Sequence, residues 1–485
     1  MKILLVYSLY NSKTLLKPLN TPEEINFGIS YIASLLEKDG HSIRLLVLSS
    51  HFLQKSLNLT DKIINEFQPR LIGFTSVASE YPFILKIAKH VRKHHPEIYM
   101  VVGGTHVSLN PGKVIESLFD AICVGEGEHP MRDLVFQLEN GIQPSGIANM
   151  WIKKGNYIEK NFPRPFLKDL DSLPFPNRNM WFEWIEEIPE ARFSILLGRG
   201  CPFLCTYCCN HALRKLAEGK YVRFRSPNNI LEEIRYLHEN NPEKREYFFE
   251  VETFNVNSEW IFDLCEKLES FNDTLESPLE YGTNFRIGAR SDFDNMFSAF
   301  AQANIRNLTV GLESGSERVR KEILKRNYSN DDIILMVKSA RKHNLNICFQ
   351  NMIGLPGERE EDFLETIRIN RICQPDTYNL NIFFPYPGTE LAHHCKEMGL
   401  MNNPIDSRME RTIPVLELPS FPIKRIRKRC IWFEYDVYKG KTPIIKLLLG
   451  TFRRKMIYFN PVLYNTMGKM PILRKAKKIL RRLVE

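Results

Sequence analysis

The chain has no uninterrupted apolar run of about 18 residues, so no membrane-spanning helix is expected from its hydropathy. Cysteine is scarce: there are ten in 485 residues, and outside one loop they stand mostly alone. That pattern argues against the disulfide framework of a secreted domain and for a reducing compartment, the cytoplasm. Neither G-x-x-x-x-G-K nor G-x-G-x-x-G occurs, which excludes a phosphate loop and the dinucleotide fingerprint. Met1–Tyr10 is apolar after one lysine, but it is short and lacks a small-residue cleavage site. Leu4, Leu5 and Val6 suit a buried first strand better than a signal peptide. At 43% hydrophobic and 25% charged the composition is that of a soluble globular protein, and the length suits two or three domains.

Acidic side chains are rare in one region only. Residues 421–485 hold 18 Lys and Arg against Glu434, Asp436 and Glu485, whereas residues 1–420 hold 48 basic and 54 acidic side chains. The net charge of +9 therefore belongs to the tail. Within it, residues 444–459 and 469–484 mix Leu, Ile, Phe and Met with Lys and Arg. Positions 472, 473, 476, 479, 480 and 483 fall at helical spacing, which gives one apolar and one cationic face. Such a helix suits an anionic membrane surface; docking of its apolar face on the protein body is the competing reading.

Residues 1–140 alternate β-branched runs with helical stretches. Strands are expected at Lys2–Tyr7, Ser42–Leu48, Leu71–Thr75, Tyr99–Gly103 and Ala121–Val124, with amphipathic helices at Ile29–Lys38, Phe83–Lys93 and Met131–Glu139. Near-continuous apolar strands joined by helices indicate a doubly wound parallel α/β sheet, which binds ligands at the carboxyl ends of its strands. Glycines fall at those ends, in Gly103-Gly104-Thr105-His106 and Gly125-Glu126-Gly127-Glu128, and Thr75-Ser76 ends the third strand. Residues 141–190 read as a proline-punctuated connector containing Leu170-Asp171-Ser172-Leu173-Pro174-Phe175-Pro176.

From about Arg192 six further strand–helix rounds follow, with strands at Phe193–Gly198, Tyr247–Glu252, Glu280–Asn284, Asn307–Leu312, Asn346–Ile353 and Thr377–Phe384. Polar residues interrupt the apolar pattern at the strand ends: Glu252, Arg290, Glu313-Ser314-Gly315, Gly354-Leu355-Pro356-Gly357-Glu358 and Pro385-Tyr386-Pro387-Gly388-Thr389. In parallel barrels those ends carry the chemistry.

The cysteine-rich loop is Gly198-Arg199-Gly200-Cys201-Pro202-Phe203-Leu204-Cys205-Thr206-Tyr207-Cys208-Cys209. Cys201, Cys205 and Cys208 stand as C-x3-C-x2-C, a spacing that suits an iron–sulfur cluster better than the separated pairs of a zinc site. A [4Fe–4S] cube held by three thiolates leaves one iron open. Cys209 reads as a bystander. With Tyr207 before the third cysteine, the loop resembles the signature of radical S-adenosylmethionine (SAM) enzymes. The turns of residues 1–140, in their order, resemble the cobalamin-binding domain that precedes many radical SAM cores.

The resemblance implies a cobalamin-binding domain over 1–140, a connector over 141–190, an open (β/α)6 radical SAM core over 191–395 and a basic helical region over 396–485. It implies a [4Fe–4S] cluster on the three cysteines and SAM contacts from Glu252, Glu313, Ser314, Gly354 and Gly357. Cobalamin contacts are implied for Ser76, Gly103, Gly104, His106, Gly125 and Gly127. Where the family reads Asp-Asp-x-Phe, this chain reads Val251-Glu252-Thr253-Phe254. The cobalt-ligating Asp-x-His-x-x-Gly motif has only an imperfect echo in Asp39-Gly40-His41-Ser42-Ile43-Arg44, where His41 reads as a strand-edge residue behind a helix-capping glycine. Cobalamin without a histidine on cobalt is the expectation.

The implied activity is cobalamin-dependent radical SAM methyl transfer to an unactivated carbon of a small-molecule or lipid-like substrate. It would use a 5′-deoxyadenosyl radical and methylcobalamin, with electrons from a flavodoxin or ferredoxin. A cobalamin-dependent cyclase or rearrangement enzyme is the alternative within the same chemistry. A nucleic-acid-binding protein with a structural cluster is the alternative from another class, but no RNA-binding module is visible and no nucleic-acid partner is expected. His94-His95 and His393-His394 read as helix-surface residues. The expected location is cytoplasmic, with the basic tail offering contact at the inner face of the membrane.

Overall fold

The computed structural model describes residues 1–9, 14–186, 192–289, 292–401, 410–411 and 413–459, with side chains through residue 456. Of the sequence features above, Arg290 and the stretch 469–484 lie outside the described residues.

The chain forms two compact units. The first comprises Met1–Phe285, Ser298–Asn307 and Pro385–His394; the second contains Arg286–Phe297, Leu308–Phe384 and the chain from Cys395 on. The first unit opens with a seven-stranded sheet in the order β2-β1-β3-β4-β5-β6-β7. Its strands are β1 (Lys2–Leu9), β2 (Ser42–Ser49), β3 (Leu71–Thr75), β4 (Tyr99–Gly103), β5 (Ala121–Cys123), β6 (Met150–Lys154) and β7 (Tyr157–Lys160). β1 to β5 pair in parallel, with Leu4 opposite Arg44 on one side and Ile72 on the other. Ile3, Leu4, Val6, Leu46, Val47, Ile72 and Val102 are fully enclosed, as strands covered on both faces require.

Helices Phe27–Lys38, Leu53–Phe67, Tyr81–His94 and Glu128–Glu139 cover the sheet. The first is capped by Asn26, whose side chain accepts the Ile29 N–H, and it stops before Gly40 at φ +86°. His41 then sits by the N-terminal ammonium (3.2 Å) and Glu139 (3.7 Å), at the end of the sheet away from the glycine turns. The connector departs from expectation: β6 and β7 form a hairpin around Gly155-Asn156 that extends the sheet in antiparallel pairing. The alternation Met150, Ile152 inward against Trp151, Lys153 outward, closed by a Gly-Asn turn, carries that signal.

Still in the first unit, β8 (Phe193–Leu196), β11 (Glu246–Glu250) and β12 (Glu280–Phe285) run side by side in parallel. The start of β13 (Ile305–Glu313) adjoins β12, where Asn307 donates to Glu280 (2.6 Å). Between β8 and β11 a small antiparallel ribbon pairs β9 (Gly198–Arg199) with β10 (Arg223–Phe224). A buried charge cluster anchors β8 and helix Pro227–Asn240. Glu233 receives Arg178 (2.8 Å) and Arg225 (2.5 Å), and each arginine also donates to a β8 carbonyl, Ser194 (2.6 Å) and Leu196 (2.9 Å) respectively.

In the second unit the rest of β13 lies beside β14 (Asn346–Ile353), which pairs in parallel with β15 (Thr377–Ile382). Helices Asn330–Lys342, Glu360–Cys373, Ile423–Tyr438 and Ile444–Phe459 complete it. After β14, Glu358 closes its own turn by accepting the N–H groups of Gly354 (2.7 Å) and Leu355 (3.1 Å) through one oxygen. Its other oxygen is buried with no hydrogen-bond partner. Complete burial pushes the Glu358 carboxyl up to about 8 against the donated hydrogen bonds.

Two outcomes follow. Glu233→Ala leaves two buried guanidinium groups without their carboxylate and should destabilise the protein by about 3–5 kcal/mol in denaturant titration. Glu358 binds its proton more tightly folded than unfolded. Its stabilising contribution is therefore fully present below pH 4.5 and is lost as pH rises through about 8. Glu358→Gln, which imitates the neutral acid, should flatten the decline in denaturation midpoint over that range; parallel profiles for the two proteins would show that the proton is not held.

Candidate active site

The β9–β10 ribbon delivers the cysteine loop. Gly200 has φ +85°, and a side chain there would strike the Tyr221 carbonyl, so the strand leaves the ribbon only with glycine at this point. Cys201 and Cys205 are buried and Cys208 is half-buried; all ten cysteines are free thiols. The loop closes through the Cys208 N–H on the Cys205 carbonyl (3.1 Å), and the short helix Asn210–Leu213 follows. The Cys209 thiol donates to Cys208, and the Asn210 backbone and side chain add further donors. Together they hold the Cys208 thiol well below its usual range against burial and the Glu252 charge. Cys209 is displaced upward in return.

Asn210 Nδ2 lies 3.5 Å from Cys208 Sγ, and the Tyr221 hydroxyl donates to Asn210 Oδ1 at 2.6 Å. Thr253 Oγ1 is 3.3 Å from Cys201 Sγ. At Cys208 this thiolate-favouring, donor-rich setting fits iron ligation, which requires deprotonated sulfur. Among the described residues no three His, Cys, Asp or Glu side chains converge on a single-ion site. A cube differs from such a site because each thiolate binds a different iron.

Glu252 lies two residues beyond β11, and its carboxylate accepts the Gly200 N–H at the root of the cysteine loop. Its side chain is exposed, although protein crowds around it. That surrounding pushes its carboxyl up, opposed by its own and the Gly200 N–H and by Arg199 and Arg223. Tyr221 is pushed up as well, first by burial and then by Glu252, Cys209, Cys208 and Cys201, which places all of these beside one phenol. The first turn of the helix after the Pro385–Thr389 loop meets the cysteine segment: Leu391 N–H donates to Thr206 (2.9 Å), and Glu390 N–H donates to His211 Nε2 (3.1 Å).

At the carboxyl end of the first sheet, Ser76, Gly103, Gly104 and His106 come together. Ser76 N–H donates to Gly103 (3.0 Å), and His106 N–H donates to Ser76 (3.2 Å). Gly104 has φ +100°, and a Cβ there would lie 2.7 Å from the Ser76 carbonyl. The His106 ring packs on Tyr81 (centroids 4.5 Å), its Nδ1 is buried without a partner, and burial, aided by Lys113, pushes it down to about 4. It is a neutral imidazole at physiological pH.

The next turn holds Gly125, whose N–H donates to Ser108 (2.9 Å), and Gly127, which begins helix Glu128–Glu139. A cavity of about 290 Å³ opens there, lined by Gly125, Glu126, Asn149, Arg164 and Phe166. Glu126 receives Arg199 (3.1 Å) and Arg223 (3.0 Å), and Glu128 receives Arg199 (2.6 Å). This network, Asn210, Tyr221 and Thr253 escaped sequence reasoning. The only advance signal was an arginine inside Gly198-Arg199-Gly200 and a pair of acids inside the Gly125–Glu128 turn.

In the second unit, Glu313 adopts φ +61°, and its carboxylate takes Arg326 Nη1 at 2.7 Å. Ser314 is wholly buried, its carbonyl accepting Arg320 Nη1 (2.6 Å). Gly354 and Gly357 take φ of +81° and +77° in the turn that Glu358 closes.

The Radical SAM superfamily model matches residues 195–369, and the B12 binding domain model matches residues 21–135. An uncharacterized methyltransferase of Pyrococcus horikoshii is 26% identical over 83% of this chain and 85% of its own. The cytidylyl-2-hydroxyethylphosphonate methyltransferase of Streptomyces wedmorensis is 22% identical over 77% of this chain and 78% of its own. An anaerobic magnesium-protoporphyrin IX monomethyl ester cyclase of Cereibacter sphaeroides is 22% identical over 76% of this chain and 60% of its own. Among solved structures, the radical SAM methyltransferase TsrM of Kitasatospora setae, with cobalamin and a [4Fe-4S] cluster bound, superposes with a TM-score of 0.65. It is 16% identical, covering 82% of this chain and 78% of that one. The cobalamin-dependent radical enzyme OxsB, with aqua-cobalamin and SAM bound, gives 0.68 at 15% identity, covering 99% of this chain and 75% of that one. Cysteines gathered behind an arginine ribbon, beside a glycine-turned parallel sheet, thus coincide with both matched models, and the chain belongs to the radical SAM enzymes that carry a cobalamin-binding domain.

Proposed function

We propose that this enzyme is a cobalamin-dependent methyltransferase acting on an unactivated carbon of a small-molecule or lipid-like substrate. The observation that carries the reading is the union, within one compact unit, of the cysteine loop and the glycine turns of the first sheet. Cys201, Cys205 and Cys208 hold a [4Fe–4S] cluster in this reading; Glu252, Glu313, Ser314, Gly354 and Gly357 serve SAM. Ser76, Gly103, Gly104, His106, Gly125 and Gly127 serve cobalamin, with no histidine on cobalt. Bound, these groups supply a carbon radical from SAM and a transferable methyl group. The chain's part is to hold them: Gly104 permits close backbone approach, and Glu252 offers an acceptor beside the cysteines. The domain bounds that accompany this reading are 1–140, 141–190, 191–395 and 396–485, supported for the first and third by the matched ranges. Electrons come from a flavodoxin- or ferredoxin-type donor.

The experiment is anaerobic turnover of the reconstituted full chain with hydroxocobalamin, SAM labelled in its methyl group and a mixed lipid and small-molecule extract. Label in a new product, abolished when Cys201, Cys205 and Cys208 are all replaced by Ala, is the expected result. Formation of 5′-deoxyadenosine with the label retained in SAM and methionine would favour the cyclase-type chemistry named for one relative.

A membrane contact belongs to the same reading. No described helix is long and apolar enough to cross a membrane. Helix Ile444–Phe459 buries Leu447 and Thr451 but leaves Ile444 (58%), Ile445 (67%), Leu448, Leu449 and Phe452 (59%) exposed in one stripe. Exposed Lys441, Lys446, Arg453 and Lys455 stand near the stripe, a charge pattern complementary to an anionic bilayer, where each cation contributes about 1 kcal/mol. The full chain should float with phosphatidylserine vesicles at low salt, and Ile445→Glu with Phe452→Glu should release it. Equal flotation of the variant, or none by either protein, would leave the stripe to residues 460–485 or to a second copy.

A further inference from the structure

We infer that Asn210 and Tyr221 form a fixed hydrogen-bond relay to the sulfur of Cys208 that raises the reduction potential of the cluster. The inference rests on the assignment of Cys208 as a cluster ligand. A ligating thiolate carries no proton and can only accept. Of the two ends of the Asn210 amide, only Nδ2 can then face Sγ, at 3.5 Å, which leaves Oδ1 to receive the Tyr221 hydroxyl at 2.6 Å. The phenol thus selects the amide orientation that points a donor at the sulfur.

Both members of the relay are held. Asn210 is 91% buried at the first position of helix Asn210–Leu213, so no bulk water competes for its amide. Tyr221 is fixed by its carbonyl, which accepts Arg223 Nε (3.1 Å) and abuts Gly200, and by its ring against Phe166 (centroids 5.1 Å). A donor that cannot turn away stabilises the more negative, reduced cluster over the oxidised one, and hydrogen bonds to the sulfurs are among the factors that set cluster potentials. The relay makes Asn210 and Tyr221 positioning residues: neither needs to touch substrate or SAM.

The test is a reductive titration of anaerobically reconstituted full-length enzyme followed by EPR, with iron content measured for each protein. Asn210→Leu keeps the number and branching of the side-chain heavy atoms and removes the donor. It should lower the equilibrium constant for reduction about tenfold, which is about 59 mV for a one-electron couple. Tyr221→Phe removes only the hydroxyl and should shift the potential in the same direction by less. In the double variant Tyr221→Phe should add nothing, because its effect passes through Asn210. Full iron content with an unchanged potential in both single variants, or additive shifts, would overturn the relay. If Asn210→Leu loses its cluster, Tyr221→Phe decides alone. Failure of the underlying assignment reads differently: full iron in the triple cysteine variant removes the ligand and the relay together.

Discussion

Glu126 and Glu128 stand at the carboxyl end of the first sheet and bind the two arginines of the ribbon that flanks the cysteine loop: Glu126 takes Arg199 and Arg223, and Glu128 takes Arg199. Burial alone would raise Glu126; Arg223 and Arg199 outweigh it and hold the carboxyl below its ordinary range. Leu167 N–H (2.9 Å) and the Leu167 carbonyl, which takes Arg223 (2.8 Å), extend the lattice into the connector. Arg199 also lies over Tyr31 and Arg223 over Phe166, so each guanidinium is stacked as well as paired. Removing Glu126 would leave buried Arg223 without its carboxylate and Arg199 with Glu128 alone, a penalty larger than the net worth of the pair. The lattice therefore acts as a positional constraint: it keeps the Gly125–Glu128 turn and the Gly198–Cys201 strand in one register, and the proposed cofactors meet only if that register holds.

Around this constraint the unit arranges contacts between loops that are distant in sequence. Gly388, at φ +90°, brings the Pro385–Thr389 loop against Leu109, while Leu391 and Glu390 bind the cysteine segment. The loop and the first turn of the helix that follows it thus touch, between them, the helix after β4 and the cysteine segment. The second unit uses the same device on a smaller scale. Arg326 neutralises Glu313, and the Tyr328 hydroxyl donates to the carbonyls of Gly311 (3.1 Å) and Leu312 (2.9 Å), so the polar end of β13 is satisfied before any ligand arrives. Pre-satisfied polar groups cost no reorganisation when a cofactor binds.

The charge asymmetry has a structural counterpart. The acidic body commits its charges to pairs such as Glu233 with two arginines, whereas the tail helix leaves Lys446, Arg453 and Lys455 in solvent beside bare leucine and isoleucine. Only Arg454 of that run turns inward, to Glu434 (2.9 Å) and the Tyr378 hydroxyl. The helix is thus anchored by one face, and among the described residues its other face is exposed.

The sequence by itself determined the alternation of strands and helices. Leu71–Thr75, Tyr99–Gly103 and Asn346–Ile353 match their expected bounds, because burial on both faces writes near-continuous apolar runs between turn residues. The C-x3-C-x2-C spacing was equally legible, since metal chemistry acts over a few residues of chain. What only the tertiary structure decided is which polar groups meet. The bonds from Arg199 to Glu128 and from Arg178 to Glu233 span 71 and 55 residues, and the hairpin β6–β7 joins a sheet that ends, by helical pattern, near residue 140. No local periodicity records such pairings. They follow from loop closure around a packed sheet, where a buried charge must find whichever partner the topology brings within reach.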